Sequence, residues 1–352
     1  MMAKSVSYHD SEVFNVTTKV FPISWAQPDP AIIRQAAEVL QEGGLVAFPT
    51  ETVYGLGADA LNPDAVRRIF KAKGRPSDNP LIVHLGRKAK IGDYAEDIPA
   101  MAEKLAEKFW PGPLTLVLKK SLLVSDEITA GLETVALRVP NHPVALALLE
   151  EFGEGIVAPS ANKSGFPSPT RAEDVETDLR GMVEMILDAG PTEIGVESTV
   201  LDVTQSPPVI LRWGGLTKEE IEAVIGPIST LADPELLKRS PGTRHRHYAP
   251  HAKLVLIRPG DEQEFAGRMK QLRQRGLTVG CIVHSFQLAQ HERGKLMRVL
   301  PPSLTGVAKY LFRTMRELDA EGVDVIVVEG VEEEGLGRAI MDRLQRASNS
   351  ND

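Results

Sequence analysis

Cysteine is almost missing: Cys281 is the one thiol in 352 residues. One thiol cannot close an internal disulfide or furnish a cysteine-rich zinc site, so nothing here asks for an oxidising compartment. Positive charge is in deficit, with 40 Lys and Arg against 48 Asp and Glu for a net −8. A protein devoted to gripping phosphate backbones carries the opposite balance, so stable nucleic-acid binding is not expected, although a local basic patch stays open. No apolar run approaches the ~20 residues that span a bilayer. The first 28 residues scatter Lys4, Asp10, Glu12 and Lys19 among isolated apolar residues and lack the continuous apolar core of a signal peptide. No membrane partner is expected, and the cytoplasm is the expected location.

Hydrophobic residues make up 42% and charged residues 25%, the balance of a folded globular chain. The length exceeds one ordinary core of ~100–200 residues, so two domains are expected. After an N-terminal extension (1–28), regular structure is expected from Asp29, where Asp-Pro opens a helix with Ile32, Ala36, Val39 and Leu40 on one face. A strand at 45–48 and a helix opened by Asn62-Pro63 follow, the helix carrying Val66, Ile69 and Phe70 and ending near Gly74. Strands near 81–85, 114–118, 135–139, 155–158, 199–203 and 209–212 alternate irregularly with helices near 100–109, 143–151 and 171–179. That order predicts an α/β domain with a mixed sheet over 29–216. A capped helix begins at Thr217, with Glu220 completing a capping box, and an aperiodic linker runs to Ala252. From 253 to 347, strands near 254–257, 278–283 and 323–328 alternate with helices near 262–274, 304–318 and 336–346. This predicts a smaller, Rossmann-like second domain, followed by a tail at 348–352.

Polar residues gather at the strand ends of the first domain. Pro49-Thr50-Glu51-Thr52-Val53-Tyr54-Gly55-Leu56-Gly57 offers hydroxyls and two glycines that permit close backbone approach, or reads simply as a turn. Lys71, Lys73 and Arg75 close a helix and lead through Asn79 to His84. A solvated helix cap accounts for the lysines but not for Arg75, Asn79 and His84, so an anionic, nucleotide-like ligand is favoured. Ser160, Asn162, Ser168 and Thr170 follow another strand end, where α/β proteins place ligands, though turns favour this composition too. Thr134 and Arg138 bracket one strand, and Glu197, Ser198 and Arg212 bracket two more; an Arg in an apolar strand needs an anionic partner. The linker carries Arg244, His245, Arg246, His247, Tyr248 and His251. A zinc reading of the three histidines is disfavoured, because no carboxylate or cysteine completes the shell and the arginines repel a cation. No serine nucleophile elbow, Walker loop or catalytic His/Asp pair is evident, and these residues by themselves name no reaction.

The segments PTETVYGLG, KAKGRPSDNPLIVH, PSANKSGFPSPT, ESTV, SPGTRHRHYAP and GLGRAIMDRLQRA, in this order, resemble the Sua5/YrdC/YciO family in its full-length Sua5 form. The resemblance covers nearly everything from Asp29 to Ala347. It implies a YrdC-type twisted α/β domain with a positive cavity and a Rossmann-like Sua5 domain. It implies an enzyme, a nucleotidyltransferase that makes threonylcarbamoyl-AMP and pyrophosphate from L-threonine, bicarbonate and ATP. The product would go to a tRNA threonylcarbamoyl-transfer complex, for the adenosine beside the anticodon in tRNAs that read codons beginning with A. Carried over by motif, Thr52, His84, Arg138, Ser160 and Ser198 match threonine-binding positions. Arg75, Asn79, Thr134, Asn162, Thr170, Arg212 and Tyr248 match nucleotide-binding ones. Lys73, Arg75, Ser160 and Asn162 form the family's catalytic signature. Mg2+ is expected to travel with ATP, and no acidic pair marks a dedicated metal site. The competing reading is a double-stranded RNA-binding or ligand-sensing module, which the net charge and the threonine-site residues oppose. The linker is expected to fold over the first domain as a lid, with Tyr248 against the nucleotide.

Overall fold

The structure is a computed structural model and describes residues 16–86, 90–231, 233–241, 247–291 and 294–349. The linker residues Gly242 to Arg246, and with them Arg244 and His245, lie outside the described residues, as do Lys4, Asp10 and Glu12.

The strands of the first unit are β1 (Lys19–Pro22), β2 (Val46–Phe48), β3 (Gly55–Asp59), β4 (Ile82–His84), β5 (Ala95–Glu96) and β6 (Leu114–Lys120). They continue with β7 (Thr134–Arg138), β8 (Ile156–Val157), β9 (Met185–Asp188), β10 (Thr199–Asp202) and β11 (Val209–Arg212). Together they form one sheet in the order β1-β9-β2-β3-β8-β4-β7-β6-β10-β11, with β5 beside β6. Pairings are mixed: β4 lies parallel to β7 and antiparallel to β8, and β6 lies parallel to β10 and antiparallel to β7. The second unit holds β12 (Lys253–Ile257), β13 (Val279–Val283), β14 (Met297–Val299) and β15 (Val325–Glu329) in the all-parallel order β12-β15-β13-β14. The expected architecture, a twisted mixed-sheet α/β unit followed by a small Rossmann-like one, is the one observed.

Local chemistry accounts for the boundaries. Asp29 accepts the Ala31 N–H at 2.8 Å and Pro30 opens the helix Pro30–Gln41. Its buried face is Ile33, Ala36, Ala37 and Leu40, so Ile32 and Val39 sit at the margin rather than at the centre as the periodicity had placed them. Helix Pro63–Lys73 stops where Gly74 turns left-handed (φ 60°), and the next N–H, that of Arg75, returns to Phe70 O at 2.9 Å. Helix Lys218–Ile225 starts on the expected Thr217/Glu220 capping box.

Three expectations need correction. Regular structure starts before Asp29, because β1 adds to the sheet edge parallel to β9; a four-residue, mostly exposed strand ending in Pro carries too little pattern to be seen. The glycine-rich motif at 55–57 is a strand rather than a turn. A Cβ on Gly57 would lie within 3 Å of Phe48 and Ile156, so the glycine lets three strands pack closely. Strands β5, β9 and β14 were also unexpected.

Apolar residues from the helices at 63–73 and 100–109 cover one part of the large sheet, and the helices at 30–41 and 143–152 cover another. The small sheet is likewise packed between two clusters. The two units touch closely: Arg316 pairs with Asp178 at 2.7 Å and bonds Pro167 O. Gly195, at φ 83°, passes so near Ala308 O that a Cβ would lie 2.3 Å from it. Among the described residues no helix is long and apolar enough to cross a membrane.

Candidate active site

Strand ends build the site. His84 and Arg138 are register partners at the ends of β4 and β7, and His84 also faces Ile156 of β8. Ser160, just past β8, bridges to Gly55. Ser198 precedes β10, and Arg212 ends the antiparallel β11 opposite Val200. Between them lies a small cleft, with room for about 50 Å³. Of the residues expected in the site, Thr52, Arg75, His84, Arg138, Ser160, Ser198, Arg212 and Tyr248 line it.

The loop before β3 is shaped by Thr50. Its hydroxyl donates to Val53 O at 2.6 Å and accepts the N–H groups of Thr52 and Val53. That turn presents Thr52 Oγ1, which accepts from Arg138 Nη2 at 3.0 Å. The same guanidinium nitrogen lies 2.8 Å from Glu51, a buried carboxylate held by charge alone, since neither of its oxygens meets hydrogen-bond geometry. Arg75 reaches the carbonyls of Asn79 and Pro80, and Arg212 those of Ser198 and Pro241 together with Ser198 Oγ. Among the described residues neither Arg75 nor Arg212 forms an ion pair with a carboxylate. Burial lowers Arg75 to about 10, which leaves it cationic at neutral pH. Burial, reinforced by Arg138, pushes His84 down to about 3, so its ring is neutral, and its Nδ1 has no hydrogen-bond partner. Asn162 Oδ1 and His247 Nε2 are likewise buried and unpartnered. Buried polar atoms are ordinarily satisfied, so such a group of unsatisfied atoms beside unneutralised cations marks a place for a polar, anionic ligand.

The remaining expected residues sit around the cleft rather than on its wall. Lys73 is fully enclosed and donates to Ser160 O and Asn162 O, both at 2.5 Å. Burial, together with Arg75, holds its amine well below the usual lysine range. It therefore fastens the Ser160–Asn162 loop. Asn162 steadies the same loop by donating to Lys163 O and Phe166 O. Asn79 is buried and offers its carbonyl to Arg75. Thr170 is buried, with its N–H on Asp174. Thr134 is half-buried at the far end of β7, roughly 13 Å along the strand from Arg138.

Glu197, His247 and Pro241 also line the cleft, and Glu51 stands behind Arg138; the sequence singles out Glu197, His247 and the segment of Glu51 but assigns them no ligand. Acidic residues at apolar strand ends were the available signal, since a carboxylate there needs a buried cation. Tyr248 lies at φ 65°, unusual for a side chain this large. It stacks on Phe312 of the second unit at 5.4 Å while lining the cleft of the first. Of the histidines of the disfavoured zinc reading, His245 lies outside the described residues, His247 lines the cleft, and His251 is exposed and pairs with Asp319. Among the described residues no group of three or more His, Cys, Asp or Glu could hold a metal ion.

Fold and cleft thus define a two-unit α/β protein with an anion-binding site at the strand ends of the larger unit. Residues 38–214 match the family described as telomere recombination, and residues 216–349 match the threonylcarbamoyl-AMP synthase C-terminal domain. A threonylcarbamoyl-AMP synthase of Pyrococcus abyssi is 49% identical over 324 residues, covering 90% of this chain and 94% of that one. One from Bacillus subtilis is 47% identical over 325 residues, covering 91% and 93%. The crystal structure of P. abyssi Sua5 complexed with L-threonine superposes with a TM-score of 0.89 at 47% identity, covering 94% of this chain and 98% of that one. The chain belongs to the Sua5/YrdC/YciO family, in its full-length threonylcarbamoyl-AMP synthase form.

Proposed function

We propose that this chain condenses L-threonine, bicarbonate and ATP into threonylcarbamoyl-AMP and pyrophosphate. The observation that carries the reading is the set of three buried guanidinium groups, Arg75, Arg138 and Arg212, converging on one cleft, two of them without a carboxylate partner among the described residues. The 49% identical relative named threonylcarbamoyl-AMP synthase and the threonine complex of P. abyssi Sua5 support it.

In this reading Arg138 and Thr52 take the threonine carboxylate, and the unpartnered His84 Nδ1 with Ser198 takes its hydroxyl. The threonine amine adds to carbon dioxide, formed from bicarbonate with loss of water, to give an N-carboxylate. An oxygen of that carboxylate attacks the α-phosphorus, and the bond to the β-phosphate breaks to release pyrophosphate. Arg75 and Arg212 neutralise the phosphates, with Ser160 between the two substrates. Asn79, Thr134, Asn162, Thr170 and Tyr248 serve the nucleotide side. The Mg2+ that accompanies ATP would add positive charge beside the phosphates that Arg75 and Arg212 face. Lys73 acts by holding the Ser160–Asn162 loop. Little proton transfer is asked of the protein, so positioning and fixed positive charge supply the rate. Pro241, His247 and Tyr248 of the linker close over the cleft and shield the labile mixed anhydride from water. The product then passes, in the cytoplasm, to proteins that load it onto tRNA.

The test is pyrophosphate release from ATP with each co-substrate omitted in turn. Release that requires both threonine and bicarbonate is expected. Release indifferent to either overturns the reading.

A further inference from the structure

The segment GLGRAIMDRLQRA is far from the cleft in sequence, yet its Arg343 is completely buried beside it. Arg343 Nε donates to Glu197 Oε2 at 2.8 Å, and Nη2 donates to Trp213 O at 2.8 Å. Nη1 pairs with Asp342, and the guanidinium carbon lies 5.0 Å from the ring centre of Tyr248. Glu197 lines the cleft, and its other oxygen accepts from Ser168 Oγ at 2.5 Å. Arg212 is bonded to Ser198, the residue next to Glu197, yet it makes no ion pair with that carboxylate. Burial favours a protonated Glu197, but Arg343, Arg212 and the Ser168 hydrogen bond outweigh it and hold the carboxyl below its usual value. The cleft wall therefore contains a negative charge where a polyphosphate must bind. Left uncompensated, that charge repels the ligand and competes for Arg212.

We propose that Arg343 is a positioning residue that neutralises Glu197 from the second unit, turning the carboxylate away from Arg212 and leaving that guanidinium for the ligand's phosphates. This rests on the nucleotide reading above and gives the second unit a direct part in the first unit's site.

The test is calorimetric binding of ATP and of uncharged adenosine to the full chain. Arg343→Met is expected to weaken ATP by at least about tenfold while changing adenosine by less than about threefold, because the defect is one of charge. Adding Glu197→Gln removes the uncompensated carboxylate, and Arg343→Met/Glu197→Gln is expected to bind ATP within about fivefold of the parent. The double variant leaves no unpaired buried carboxylate and serves as the folded arm if Arg343→Met is unstable. Equal losses for ATP and adenosine, or a tenfold ATP deficit in a folded double variant, overturn the proposal. A parent chain that binds neither molecule overturns the nucleotide reading itself.

Discussion

The two sheets treat the same kind of site in opposite ways. Both expose a crevice at strand ends, the place where open α/β sheets take their ligands. In the small sheet the crevice is closed from within. Glu329, at the end of β15, accepts the N–H groups of Gly260, His284 and Ser285 at 3.0, 2.8 and 3.0 Å. Its carboxylate stands where a bound anion would otherwise satisfy those donors. In the large sheet Arg138 and Arg212 stand at strand ends with Arg75 in the loop beside them, and among the described residues Arg75 and Arg212 have backbone carbonyls but no carboxylate for partners. An internal anion makes the first crevice structural, and the lack of one makes the second a site for substrate.

The contrast predicts where chemistry is sensitive. The largest effect concerns the amino acid. Valine places a methyl where threonine has its hydroxyl, leaving His84 Nδ1 and Ser198 unmatched. It is expected to react about 10⁴-fold less efficiently in pyrophosphate release. Comparable kcat/KM for the two amino acids would mean the pocket around Thr52, His84 and Ser198 does not read the hydroxyl. Next is Arg75→Ala, expected to lose about 100-fold or more in kcat/KM, the range for removing one oriented donor from developing charge. Its melting temperature should fall only slightly, since the side chain anchors just the Asn79 and Pro80 carbonyls. A folded variant with parental activity would remove Arg75 from the phosphate site.

The small sheet should respond in stability instead. Glu329→Ala orphans three donors and is expected to lower unfolding stability by about 3 kcal/mol in denaturant melts. Pyrophosphate release at 25 °C should persist. Inorganic phosphate should stabilise the variant by more than it stabilises the parent, whose large-sheet cleft it can also enter. A variant as stable as the parent would show that Glu329 does not seal the crevice.

Acid sharpens the comparison with the smallest effect. Burial holds His84 and His247 down to about 3 and His142 to about 4. Unfolded histidine takes a proton near 6.5, which these three refuse when folded, so stability falls as the pH drops below that value. Between pH 7 and pH 6 the loss is at most about 2 kcal/mol for the three together. Glu329 is also driven upward by burial, but the N–H groups of Ser285 and His284 outweigh this and hold it below its usual value. Its contribution is present at neutral pH and lost only as the pH falls below the ordinary carboxylate range. All three tryptophans, Trp25, Trp110 and Trp213, precede the small sheet. Their fluorescence should therefore report a melting midpoint that drops from pH 7 to pH 6, and an unchanged midpoint would contradict the assignment.

Much of this was legible in the sequence, for reasons that are local. Asp29-Pro30, Asn62-Pro63, Gly74 and the Thr217/Glu220 box set helix ends through hydrogen bonds within a few residues. Apolar strands such as Val209–Arg212 announced themselves by their own pattern, although β9, equally long and apolar, did not. Short or glycine-rich strands such as β1 and β3 did not, because their stability comes from neighbours distant in the chain. The site divides in the same way. Arg75, His84, Arg138, Ser198 and Arg212 stand out as polar residues in or beside apolar strands, which is a property of sequence. Which of them face one another, that Lys73 grips the Ser160 and Asn162 carbonyls, and that Arg343 meets Glu197 across 146 positions were decided by tertiary structure alone. Residue type determines what charge and hydrogen bonds a side chain offers. Only packing determines which partner it finds, and whether that partner is part of the protein or a ligand.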